Sequence, residues 1–319
     1  MSGLLTLGVV LSAVDSLSPV LGTATGNLNK LESKISSVSA SITKLGTASL
    51  ALGTAITAPL KGALDDYQNV AAAQGEIASL GIDDSGIKSI TKSAREFSNE
   101  FAGTTAPEFI KASYDIKSGI SSLSDTAVGE FTKTAAMTAA ATKSSTGEMT
   151  SLFATGYGIY RKQFEDFGAS TVDGWNDLSA EEKDIKFGEY FSAGIAGSVQ
   201  AFKTDGANMS GALGALGASA TSAGISFAEQ LSVLGQLQAT MSGSEAATKY
   251  KAFLGSAQSA GDKLGLNFTD ANDQMLSMPD IIGNIKDKYG DTIDALESAE
   301  LKKAFGTEEA VALVKLMYN

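Results

Sequence analysis

Apolar residues recur at alternating steps of three and four from the start of the chain: Leu7, Val10, Val14, Leu17, Leu21, Ala24, Leu28, Leu31, Ile35, Val38, Ile42, Leu45, Ser49, Leu52 and Ile56. Only Ser49 in that series is polar. This alternation is the seam of a coiled coil. It is cleanest over Leu28, Leu31, Ile35, Val38, Ile42 and Leu45, where Asn, Lys, Glu, Ser and Thr fill most of the positions between. Those six residues are the predicted self-association site. Upstream, Pro19, Gly22 and Gly26 predict a helix break near 18–26. The β-branched residues at 35, 38 and 42 fall in both seam positions, which does not favour a dimer; a trimer is the expected state. An amphipathic helix packed on its own chain is the other reading, because the clean part is shorter than three heptads.

Beyond residue 62 the apolar stripes take the 3.6-residue spacing of globular helices. Residues 63–164 read as a first helical half. Thr105 and Glu108 form a capping box, and Pro107 sits in the first turn, where it costs no hydrogen bond. Phe109, Ala112 and Ile116 then share a face. Val128, Phe131 and Ala135 make the stripe of the next helix. Residues 165–184, "EDFGASTVDGWNDLSAEEKD", are acidic and glycine-dotted and read as a surface loop. Ser179 and Glu182 restart the helix with a second box.

Residues 185–319 read as a second helical half. Gly211, Gly214 and Ala218 lie along one side and predict close helix packing. In "GISFAEQLSVLGQLQATMSGSEAATKYKAFL" (224–254), Ser226 with Glu229 and Ser242 with Glu245 form two more boxes. Phe227, Leu231, Leu234, Leu237 and Met241 line the first helix. Ala246, Tyr250, Phe253 and Leu254 face inward from the second. The stretch is a helical hairpin, and the expected fold is all-α: elongated hairpins and a bundle, preceded by the heptad segment at 1–62.

Composition narrows the chemistry. The chain has no cysteine and no histidine, which removes thiolate nucleophiles, disulfides, imidazole bases and the common transition-metal ligands. No catalytic residue, metal site or cofactor is expected, and the chain is not expected to be an enzyme. A net charge of -12 argues against a nucleic-acid groove. The acidic stretches 165–184 and 268–275 do not match a calcium loop, which needs a central glycine and a closing glutamate. Aromatic residues are few, which predicts a thin core packed by small side chains. The first 22 residues are apolar but lack a basic start, and Asp15 interrupts them. The uncharged run between Lys44 and Lys61 is short for a membrane span and reads as a buried helix.

Four phrases carry a resemblance. "TAPLKGALDDYQNVAAAQGEI" (57–77), the hairpin stretch with Gly224, Ile225, Ser226, Gly243, Ser244, Glu245 and Ala246, "MPDIIGNIKDKYG" (278–290) and "KAFGTEEAVALV" (303–314) stand in the order seen in phage tail tape measure proteins. The chain resembles that family over roughly 57–319. The resemblance implies a structural protein that occupies the tail-tube lumen, sets tube length during assembly in the host cytoplasm, and leaves ahead of the DNA. It implies as partners further copies of the chain, the tail tube protein, baseplate or tail-tip proteins, tail assembly chaperones and the host membrane during ejection, with no specific nucleic-acid sequence. Members usually continue beyond the last phrase, so a short member or a piece of a longer product is expected. The rival expectation is an exported helical translocator that forms pores in a target membrane, suggested by the apolar runs near 1–14 and 46–60.

Overall fold

The computed structural model describes residues 57–318 apart from Ala102 and Asp173. The predicted seam from Leu28 to Leu45 lies outside the described residues. Thirteen helices follow one another among the described residues, and the sole β feature is one bridge between Thr269 and Met275. The all-α expectation holds. Contacts divide the chain into two compact units whose boundary, between Ala193 and Gly194, falls inside a helix rather than in the acidic stretch.

The first unit contains α1 (Thr57–Ala78), α2 (Asp84–Glu100), α3 (Ala106–Gly119), α4 (Asp125–Thr142), α5 (Thr146–Thr171) and the first part of α6 (Ala180–Phe202). α3 is its hub, packing on α1, α2, α4 and α5. The Thr105–Glu108 capping box forms in both directions, and Phe109, Ala112 and Ile116 are buried. Ser145 and Glu148 make a further box that starts α5.

Aromatic side chains are few in the chain but concentrated in this unit. Phe187 has no exposed surface and lies 5.5 Å from Tyr157, 5.6 Å from Phe191, 5.7 Å from Phe164 and 6.3 Å from Phe131. Gly156 and Gly168 on α5 leave room for two of the rings. A Cβ at Gly156 would lie 2.2 Å from Phe191, and one at Gly168 would lie 2.6 Å from Trp175. The thin small-residue core expected from composition is therefore corrected here: an average over 319 residues hides a local cluster.

The second unit holds the rest of α6, then α7 (Gly206–Leu216), the short α8 (Ser219–Ser222), α9 (Phe227–Leu237), α10 (Gly243–Leu264), α11 (Met278–Tyr289), α12 (Ala295–Phe305) and α13 (Glu308–Tyr318). α10 is the hub. It packs chiefly on α7, α13 and α12, and less on α9, so the expected hairpin is one edge of a larger bundle. Phe227, Leu231, Leu234 and Leu237 are buried on α9, and Ala246, Tyr250 and Phe253 on α10. Met241 lies in the turn after α9 and is half-buried, as is Leu254.

Two sequence readings are overturned. The stretch 165–184 is not a surface loop: α5 continues to Thr171, a 3-10 turn spans Trp175–Asp177, and Trp175 is only 3% exposed. Its acidity misled because Asp184 is turned inward onto Arg161 and Glu165, though half exposed, is paired with the same guanidinium. Of the predicted side bearing Gly211, Gly214 and Ala218, only Gly211 approaches a neighbour, Ser244 Oγ of α10 lying 3.6 Å from where its Cβ would be. Met209, Ala212, Leu213 and Leu216 face the core, whereas Gly214 and Ala218 are exposed.

Candidate functional site

Two polar constellations stand out, one in each unit. In the first, Arg161 on α5 donates from Nε to Asp184 at 2.8 Å and from Nη1 to Glu165 at 2.6 Å. The Tyr157 hydroxyl donates to the same Asp184 oxygen at 2.9 Å, and the Trp175 indole N–H donates to Glu165 at 3.0 Å. Lys183 sits 3.4 Å from Glu165 and over the Trp175 ring. Glu165 is held below its ordinary carboxylate range, first by the Arg161 hydrogen bond. Burial pushes the Tyr157 hydroxyl up, helped by its bond to Asp184. Every carboxylate here faces a cation, so the arrangement suits fastening the α5–α6 turn rather than proton transfer.

The second constellation is the beginning of α9. Gly224 has φ +81°, a conformation that costs glycine little, and Ile225 N–H closes the turn onto Ala220 O at 3.0 Å. Ser226 caps α9 by accepting from Glu229 N–H. The expected reciprocal bond does not form. The Glu229 carboxylate instead accepts the backbone N–H of Met278, the first residue of α11, at 2.6 Å. Gln230 is fully buried and donates to Ile225 O at 2.8 Å and to Thr221 Oγ1 at 3.1 Å. The 242–245 pair is also a half-box: Ser242 accepts from Glu245 N–H, and Glu245 pairs with Lys249.

Sequence reading missed the roles of Glu229 and Gln230. A glutamate three residues into a helix is the ordinary capping-box sign, and nothing local tells that it reaches 49 residues onward. These contacts link separate phrases pair by pair. Glu229 joins the 224–254 stretch to 278–290, and Phe253 stacks 5.5 Å from Phe305 of the 303–314 stretch. Lys288 reaches Leu264 O at 2.8 Å and Glu300 at 2.9 Å, tying α11 to the end of α10 and to α12.

Burial raises Glu229 above its ordinary value of 4.5; the Met278 N–H opposes this, and neighbouring Asp280 adds to it. A carboxylate raised on folding binds its proton more tightly in the native state. Its stabilising contribution is present below the unfolded value and is lost as pH rises through the folded one. Glu229→Gln keeps an oxygen for Met278 N–H and removes the buried charge. It should leave stability at pH 7 unchanged or higher, and flatten the fall that begins as pH rises above 4.5. Glu229→Ala strands the N–H and should cost about 1–3 kcal/mol. Urea unfolding of both variants across pH measures this; a Gln variant as weak as the Ala variant would contradict it.

Among the described residues no group of three or more His, Cys, Asp and Glu is placed to hold a metal ion, and no helix is long and apolar enough to cross a membrane. Asp270, in the 268–275 stretch, accepts from the N–H groups of Asn272 and Gln274 at 2.8 and 2.9 Å, which uses the carboxylate to close its own loop.

No curated protein and no solved structure matches the chain. The phage-related minor tail protein family matches residues 91–306. That span covers most of both units, from within α2 to the turn after α12, and takes in the α9–α11 junction. The stretch 57–77 lies before it. With more than half of its length matched, the chain belongs to the phage-related minor tail protein family and is a structural protein of a phage tail.

Proposed function

We propose that this tail protein is a tape measure protein that lies in the lumen of the tail tube, sets tube length during assembly and leaves ahead of the DNA. The observation that carries this reading is the α9–α11 junction. It fastens two of the four phrases resembling tape measure proteins, the Phe253–Phe305 stack adds a third, and the Glu229 and Gln230 side chains are spent on backbone groups. The role proposed is mechanical, and no reaction is assigned to it. The partners follow from the position: other copies of the chain through the 28–45 seam, the tail tube protein around it, baseplate or tip proteins at one end, and assembly chaperones before the tube closes. A net charge of -12 suits a chain that shares a channel with DNA, because like charges repel.

Protease treatment of purified tails tests the location. The chain should stay uncut in intact tails and become exposed or released once ejection is triggered. Cleavage in intact tails would place it outside the tube. Rapid leakage of liposomes caused by the purified chain alone would favour a pore-forming translocator instead.

A further inference from the structure

A groove of about 330 Å³ opens between α1 and α2. Lys88, Lys92 and Arg95 line it at the i, i+4, i+7 spacing that puts side chains on one face of a helix, with Glu96 as the one carboxylate of the lining. All three are exposed. Lys92 meets Glu96 at 3.8 Å, with both side chains mostly in solvent, a geometry of little energetic weight. Neither Lys88 nor Arg95 has a carboxylate within ion-pair distance among the described residues. Gln74 of α1 forms part of the opposite wall and is fixed there by a 2.9 Å hydrogen bond to Thr91. A local run of three cations is notable on a chain of net charge -12.

The run is also bounded. Asp83 and Asp84 precede it, Glu96 stands within the groove at its far end, and Glu100 follows. Lys88 to Arg95 spans seven residues, or about 10 Å of helix axis. A continuous phosphate backbone would run past the three cations and meet carboxylates at both ends. A helix carrying three carboxylates at i, i+4 and i+7 has the same rise and the same length of charge. We propose that the α1–α2 groove docks an acidic helical segment of another polypeptide, with Lys88, Lys92 and Arg95 as its recognition residues.

The test uses the full chain and a fluorescently labelled alanine-based peptide with glutamate at i, i+4 and i+7, followed by anisotropy. Binding should saturate at one peptide per chain and weaken as salt is added. Lys88→Glu with Lys92→Glu and Arg95→Glu should weaken it tenfold or more. Lys111→Glu with Lys162→Glu and Lys303→Glu changes the net charge equally on exposed residues elsewhere, and should weaken it less than threefold. If the first triple variant loses helicity, the glutamine triple at the same positions should still weaken binding at least threefold. Equal loss in the two charge-reversed variants would reduce the effect to net charge and overturn the site. Absence of saturable binding would overturn it too, as would tighter binding of a thymidine oligonucleotide of equal charge.

Discussion

Phe187→Ala should lower the unfolding free energy of the first unit by about 3–5 kcal/mol, the range for removing a buried phenylalanine. Phe187 has no exposed surface, and four aromatic rings have their centres within 6.3 Å of its own. Those rings come from α4, α5 and α6, so the surroundings cannot collapse into the space without moving three helices. The measurement is convenient because Trp175 is the only tryptophan and packs 5.2 Å from Phe164 in the same cluster. Its fluorescence follows this unit alone, which avoids treating two units as one transition. A loss below about 1 kcal/mol would mean that the cluster does not carry the unit, since that is small for a buried large-to-small change.

Gly243→Ala should be as damaging, by a different cause. Alanine for glycine in a helix ordinarily gains about 0.5–1 kcal/mol. At Gly243 the added Cβ would lie 1.9 Å from the carbonyl oxygen of Asn208 and 3.0 Å from Ala212 N. These are backbone atoms of α7, so no side chain can rotate away. The start of α10 must instead move off α7, its main neighbour, at a cost of about 3 kcal/mol or more, the upper end for overpacking. Gly255, in the middle of the same helix, has nothing within 4 Å of a built Cβ. Gly255→Ala should therefore be neutral or stabilising. Thermal unfolding by circular dichroism compares the pair, and equal effects of the two substitutions would contradict the packing described.

These positions also show what the sequence makes legible. Helix starts could be read because capping is local: Thr105 with Glu108 and Ser179 with Glu182 behave as their spacing predicts. Stripes such as Phe109, Ala112 and Ile116 were legible because burial repeats with the helical turn. What escaped depends on distant partners. Glu229 looks like a capping residue until α11 arrives beside it. Nothing beside Gly243 in the sequence tells that α7 lies on it. Gly211 and Gly214 look like one packing face, yet only Gly211 borders α10, and the buried side of α7 carries Leu213 and Leu216. The acidic stretch at 165–184 looked solvated because its charges were counted without Arg161, which pairs with two of them and draws Asp184 inward. The α9–α11 junction was half legible. Its phrases could be seen in the sequence, but not that a carboxylate binds one to the next.

The central claim, that this tail protein sets tail length, is tested most directly by measuring tail lengths in electron micrographs of particles assembled without it. The account predicts few complete tails, and tubes of scattered length among those that form. Tails of normal number and one uniform length in the absence of the chain would contradict it.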